Sequence, residues 1–197
     1  MVDKKESKRR GRPRAFDRDA ALDSAQALFH AHGYDGVGVA ALAEAMGVNP
    51  PSLYAAFGSK AALFDEVLDR YADRSPLADQ LKAPGVAPAQ ALTGMLRLAA
   101  HLYAADPQAA GCMVLEGARG SDAEASQCAR TRKAGSVAAI ADWLRPAHPD
   151  QADTVAHYVA ALMSGMSADA RAGAPAERLE AVAEMGGLAI AAMLARG

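Results

Sequence analysis

Apolar positions recur along this chain at three- and four-residue spacing, and no segment alternates in the way a half-buried strand does. Leu22, Ala25, Leu28 and Phe29 form one stripe within "DRDAALDSAQALFHAHG", Asp17 to Gly33. Asp17 is placed to cap this predicted helix and Gly33 to end it, with Asp17 and Asp19 at the positive end of the helix dipole. Val39, Leu42, Ala43 and Met46 repeat the spacing over only two turns. Gly47 then permits a tight turn. A short element is predicted from Pro50 to Phe57, with Val48, Leu53 and Phe57 available to a core, and Gly58 breaks it. Ser59 reads as the cap of the next helix, "KAALFDEVLDRY", where Leu63, Phe64, Val67, Leu68 and Tyr71 make a continuous apolar face.

Two adjacent prolines normally stop a helix, yet proline is tolerated in the first helical turn, where its missing amide has no intrahelical partner. With Asn49 as N-cap, Pro50 and Pro51 become the first two residues of a helix rather than the end of one. Residues 17–71 therefore read as four helices, the second and third short and joined by a glycine turn. That is the helix-turn-helix pattern, in which the second helix enters the DNA major groove.

Beyond Tyr71, "ADRSPLADQLKAPGVAP" is broken by Pro76, Pro84, Gly85 and Pro88 and reads as a connecting segment. Helices are expected from about Pro88 to Ala105, briefly within "DPQAAGCMVLEGARGS", from Asp122 to about Arg145, from about Pro149 to Ala172 and from about Pro175 to Ala195. The predicted fold is all-α, with a basic arm at 1–16, an N-terminal helix-turn-helix domain at 17–71 and a C-terminal helical domain at 72–197.

Composition agrees. The 197 residues are 51% hydrophobic and only 5% aromatic, with abundant alanine, which favours helices over strands. No apolar run reaches the length of a membrane span, and the basic start "MVDKKESKRRGRPR" has no apolar segment behind it as a signal peptide does, so no membrane partner is expected. Cys112 and Cys128 lie far apart and outside any metal-ligand pattern, so a cytoplasmic chain with reduced thiols is expected.

Net charge is −2, but its distribution changes the picture. Lys4, Lys5, Lys8, Arg9, Arg10, Arg12 and Arg14 stand against only Asp3 and Glu6 in the first 14 residues, and acids outnumber bases in the remainder. Over residues 15–71, Arg18, Lys60 and Arg70 face Asp17, Asp19, Asp23, Asp35, Glu44, Asp65, Glu66 and Asp69. An acidic reading head with a basic arm suggests that the arm supplies the attraction to an anionic partner. "KRRGRPR" can lie extended in a narrow minor groove with Arg12 and Arg14 inserted. A basic tail that only aids solubility is the plainer reading.

The stretch "LFHAHGYDGVGVAALAEAMGVNPPSLYAAFGSKAALF" resembles the N-terminal domain of the TetR family of bacterial transcriptional repressors. The matching positions include Phe29, Gly33, Tyr34, Leu42, Ala43, Gly47, Val48, Leu53, Tyr54, Phe57, Ser59, Lys60, Leu63 and Phe64. The resemblance implies a homodimer that binds a palindromic double-stranded DNA operator, dimerises through its last two helices, and is released by a small-molecule effector held in the C-terminal domain. It also implies DNA contacts from Gly38, Asn49, Pro50, Pro51, Ser52, Tyr54, Ala55 and Lys60, to which the arm residues Arg9, Arg10, Arg12 and Arg14 are added here. Tyr54 and Lys60 are expected to clamp a phosphate. Gly38 stands where the family often has Thr or Ser, Pro50 where a polar side chain is common, and Ala55 where His is common. Asn49 and Ser52 are thus the main base-edge donors, while Pro50, Pro51 and Ala55 offer apolar contacts, such as with thymine methyls.

In the C-terminal domain, the apolar stripes Val155, Val159, Leu162, Met163 and Met166, and Leu179, Val182, Met185, Ala189, Ile190 and Met193, read as a dimer surface. Gly165, Gly186 and Gly187 would let helices approach closely. The same stripes also suit an intramolecular core, and both hold in a four-helix interface built from two chains. Candidate ligand-binding residues are Leu96, His101, Tyr103, Met113, Glu116, Trp143, His157, Tyr158 and Met163, although aromatic and Met residues at helical spacing are more often core. Cys112 at a helix start is a candidate redox or electrophile sensor, because the dipole would lower its thiol pKa; a buried apolar Cys is the commoner outcome. Enzyme readings find little: His30 and His32 diverge on one helix, His101, His148 and His157 form no ligand pattern, and no nucleotide loop or nucleophile elbow is present. No cofactor or metal is expected. A helical dimeric adaptor that does not bind DNA is the remaining alternative.

Overall fold

The computed structural model describes residues 16–195, so the arm residues Arg9, Arg10, Arg12 and Arg14 lie outside the described residues. The described chain forms helices α1 (Arg18–His32), α2 (Val39–Ala45), α3 (Pro50–Phe57), α4 (Lys60–Asp73), α5 (Pro88–Ala104), α6 (Met113–Gly117), α7 (Ala123–Leu144), α8 (Ala152–Arg171) and α9 (Ala176–Leu194). A 3-10 turn, Pro76–Lys82, bridges α4 and α5 where the sequence reading had only a connection. Its proline punctuation favours one tight turn after another, and Ser75 caps it.

The caps are those the sequence dictates. Asp17 accepts from the Ala20 amide at 3.1 Å, and Ser59 from the Ala62 amide at 2.9 Å. Asp122 does the same for Ala125 at the start of α7. Gly47 adopts φ 67°, a left-handed conformation disfavoured for residues with a Cβ, and this sets the turn from α2 to α3.

Two apolar cores result. One gathers Phe29, Leu42, Leu53, Phe57, Leu63 and Phe64 from α1 to α4, all 5% exposed or less. The other gathers residues of α5, α7, α8 and α9, with α5 and α9 packed along much of their length. The border at residue 71 is not a clean one. Met113, Val114, Ala125 and Ala129, from α6 and α7, belong to the first core. A Cβ on Gly117 would lie 3.0 Å from the Phe64 ring, so α6 is pressed against α4.

The dimer stripe divides in two. Val155, Val159 and Met166 are buried inside this chain, so for them the core reading holds and the expected interface role is corrected. Gly186 and Gly187 also face inward. A Cβ on Gly187 would lie 2.6 Å from Thr93 of α5, and one on Gly186 would lie 2.5 Å from Leu162. Leu162, Val182, Ala189 and Met193 are half-buried. Met185 and Leu188, which lie on the outer face of α9, are 66% and 67% exposed. Leu188 lies three residues after Met185, which puts both on the same face of the helix.

Candidate nucleic-acid interface and ligand cavity

The recognition element forms by local rules. Asn49 Oδ1 accepts from the Ser52 amide at 2.9 Å, and Pro50 and Pro51 occupy the first turn of α3. Leu53 and Phe57 point into the core, which leaves Asn49, Pro50, Pro51, Ser52, Tyr54 and Ala55 on one exposed face. The cap alters the expected readout: the Asn49 carbonyl is committed to the helix start, so its NH₂ alone remains for a base edge. Tyr54 is 48% exposed. Gly38 is the exposed N-cap of α2 and makes no side-chain cap.

The expected Tyr54–Lys60 clamp is not assembled. The Lys60 ammonium lies 3.9 Å from the centroid of the Tyr34 ring, half-buried in the body of the head. Burial pulls its pKa down, against the attraction of Asp35 and Asp122, and the Tyr34 hydroxyl is pushed up to about 12 mainly by burial. The other bases of the head are also engaged. Arg18 pairs with Glu66, donates to the Ala56 carbonyl at 2.9 Å and lies 4.4 Å from the Phe57 ring centroid. Arg70 pairs with Asp19 and Asp23, and Arg74 with Asp23. Arg132, reaching over from α7, pairs with Asp65 and Asp69. Much of the head's acidity is therefore neutralised within the chain, and among the described residues no freely extended base stands beside α3. Sequence counting missed the Arg132 contribution because it comes from the other domain.

The second site is a cavity of about 230 Å³ between the end of α4, the 3-10 turn, α5, α6, α7 and α8. Of the expected ligand residues, Tyr103 and Met163 line it, and Cys112 forms part of its wall. The rest lie elsewhere, because helical spacing identifies a face but not the turn that borders a void. Leu96 is sealed under α9, 3.1 Å from the position a Gly186 Cβ would take. Met113 belongs to the head core. Glu116 faces Arg119 and the Ser167 hydroxyl, which donates to it at 2.8 Å. Trp143 and Tyr158 pack against the C-terminal core, and His101 and His157 are exposed. Tyr71, read as core, also lines the cavity.

The lowered thiol pKa expected at Cys112 is opposed by its surroundings. Burial pushes its thiol pKa up, more than the Val114 and Leu115 amides and the Tyr71 and Tyr103 hydroxyls lower it. The helix it precedes has only five residues, too short for the dipole to prevail. A protonated thiol is a poor nucleophile. Cys128 is likewise raised by burial and by Asp65.

A tight bond set joins the cavity to the head. His30 Nε2 lies 3.2 Å from the Gly111 carbonyl. Arg171 of α8 donates to the His30 and Ala110 carbonyls, each at 3.1 Å. The Cys112 amide donates to Ser167 Oγ at 2.9 Å, and the Ser121 amide to Asp35 at 2.9 Å.

A capped, proline-started helix exposed behind a glycine turn, on a helical body with an internal cavity, defines a helix-turn-helix regulator of the two-part helical kind. The profile of bacterial regulatory proteins of the tetR family matches residues 21–67. The chain is 42% identical over 196 residues to the HTH-type transcriptional repressor BdcR of Escherichia coli (strain K12), covering 98% of this chain and 99% of that protein. It is 35% identical over 188 residues to the HTH-type transcriptional repressor ComR of the same organism, covering 89% and 90%. Among solved structures it resembles the TetR family regulator CifR, a cysteine mutant complexed with 26bp double-strand operator DNA. That match has a TM-score of 0.81 at 34% identity and covers 91% of this chain and 99% of that one. The chain belongs to the TetR family and is a DNA-binding transcriptional regulator.

Proposed function

We propose that this protein is a cytoplasmic repressor that binds a palindromic operator as a homodimer and releases it when a small molecule enters the α4–α8 cavity. It acts by binding rather than by catalysis. The observation that carries the reading is the double membership of α6. Val114 and Cys112 border the cavity, while Met113 and Val114 belong to the core of the DNA-reading head. A ligand that displaces α6 or Tyr71 of α4 therefore acts on the body that holds α3. Only differential affinity for the two head positions would shift the balance between them.

On DNA, α3 enters the major groove with Ser52 and the Asn49 NH₂ near base edges, Tyr54 on a phosphate, and Pro50, Pro51 and Ala55 against apolar surface such as thymine methyls. Lys60 joins the phosphate contacts only if it leaves the Tyr34 ring. The dimer is formed by α8 and α9, centred on Met185 and Leu188. The CifR complex with operator DNA and the repressor names of BdcR and ComR support the DNA-binding half of this reading. A gel shift with the protein's own upstream region, at two salt concentrations, tests it. A retarded band of dimer stoichiometry that weakens with salt is expected. Absence of a band at either salt would return the protein to the adaptor class.

A further inference from the structure

On the reading that the α4–α8 cavity is the effector site, we propose that it selects a small, uncharged, largely apolar molecule carrying one hydrogen-bond acceptor, which meets the Tyr103 hydroxyl. The size of the cavity sets the first limit. At about 230 Å³ it is larger than the roughly 150 Å³ apolar cavity that takes up benzene, so it suits a molecule of about ten non-hydrogen atoms. Its wall sets the second. Leu77, Leu81, Met95, Val137, Ile140 and Met163 make the enclosure predominantly apolar.

The polar specification comes from Tyr103. The ring is 2% exposed, and its hydroxyl oxygen is buried with no oxygen or nitrogen hydrogen-bond partner among the described residues, only the weak Cys112 thiol nearby. A buried phenol without a partner is uncommon in a folded protein and is costly to leave so. Its polar neighbours are the Cys112 thiol and Tyr71, themselves protonated weak acids on the same wall. An O–H with no oxygen or nitrogen to donate to is complemented by a carbonyl, ether or alcohol oxygen on the ligand.

Charge sets the third limit. Burial raises the pKa values of Tyr71, Tyr103 and Cys112, so this end of the cavity resists negative charge. Arg132 lines the cavity but is held by Asp65 and Asp69. Lys133, half-buried, is the cavity base with no ion pair among the described residues, and it is shared with the outer groove between α7 and α8. A carboxylate drawn to Lys133 is the competing outcome.

Three probes of nearly equal size separate these cases: acetophenone, isopropylbenzene and benzoate. Binding of each to the full-length protein is measured by calorimetry, alongside Tyr103→Phe. Acetophenone is expected to bind about tenfold more tightly than isopropylbenzene, and benzoate more weakly than either. Tyr103→Phe should erase the acetophenone preference while isopropylbenzene still binds. Benzoate binding as well as acetophenone, equal binding of the two neutral probes to the wild type, or no binding of any probe would overturn the proposal. So would a preference that survives Tyr103→Phe. The probe comparison on the wild type stands even if that variant folds poorly. Operator gel shifts with acetophenone present test the underlying reading separately: binding without release refutes the effector role and leaves the ligand class intact.

Discussion

The Lys60 ammonium stands 3.9 Å over the ring of Tyr34, a contact between the first turn of α4 and the loop after α1. It fixes the start of α4 against the α1 end of the head, next to α3. A half-buried cation–π pair of this kind is worth about 0.5–2 kcal/mol. A double-mutant cycle of Lys60→Met and Tyr34→Leu, followed by urea unfolding, should return a coupling in that range. Tested on DNA, Lys60→Met should leave the salt slope of operator binding unchanged if the lysine stays on the ring. A slope reduced by about 0.9 would show that it moves to a phosphate on binding.

Gly38 caps α2 with nothing but its backbone, at φ −85°, a conformation open to any residue, and a Cβ there would meet no atom within 4 Å. Gly38→Ser should therefore stabilise the head by about 1 kcal/mol, from the added cap and the restricted unfolded chain. It should also tighten operator binding through a new hydroxyl at the helix start. Chemical denaturation and gel shift check the two effects separately. A gain in stability without a gain in affinity would place this helix start away from the phosphates.

These two residues show what sequence made legible. Caps, turns and the buried face of α3 depend on neighbours within four residues, so Asp17, Asn49, Ser59 and Gly47 were all readable in the chain. Partnerships across the fold were not. Arg132 neutralising Asp65 and Asp69, Lys60 turning to Tyr34, and α6 joining the head's core each bring together residues whose pairing no local pattern specifies. The cavity's position was only partly legible for the same reason: Met163 borders the void, whereas Tyr158, on another side of α8, does not.

His30 joins the head to the body through the Gly111 carbonyl and is held below its ordinary pKa, chiefly by burial, with Arg171 adding to the effect and the Gly111 bond and Asp106 opposing it. A depressed folded pKa means the unfolded chain binds the proton more readily. The stabilisation is therefore present above the ordinary histidine pKa of about 6.5 and is lost as pH falls below it. Urea midpoints should drop between about pH 6.5 and 5. In His30→Gln, which can still donate to Gly111, that drop should be shallower. An unchanged profile in the variant would assign the acid sensitivity elsewhere.

Met185 and Leu188 are the two most exposed large apolar side chains on α9, flanked by the Arg97–Glu184 ion pair. On the proposed dimer, this exposed apolar pair on the outer face of α9 is the expected contact. Met185→Glu with Leu188→Glu should yield a monomer by analytical ultracentrifugation. Both side chains point outward, so the fold itself should be little affected. If two heads must bind together, the loss of avidity should weaken operator binding by about a hundredfold or more. A double variant that stays dimeric would move the interface to another face.

The arm remains the largest concentration of positive charge in the chain, and the described structure fixes where it departs. Phe16 packs edge-on against Phe57 at a centroid distance of 6.0 Å, and Arg18 is bonded to the Ala56 carbonyl. Phe16, the first described residue, is thus held beside the C-terminal end of α3. With Arg18, Arg70 and Arg132 engaged in ion pairs and Lys60 on Tyr34, the head has few cations to offer phosphates. Each phosphate neutralised by the arm should contribute about 0.9 to the salt slope of binding. Deleting residues 1–14 should therefore lower the slope by about 2–4 and weaken binding at least tenfold at low salt. A truncated protein with the full salt slope would mean that the arm only aids solubility and that the head finds its phosphate contacts elsewhere.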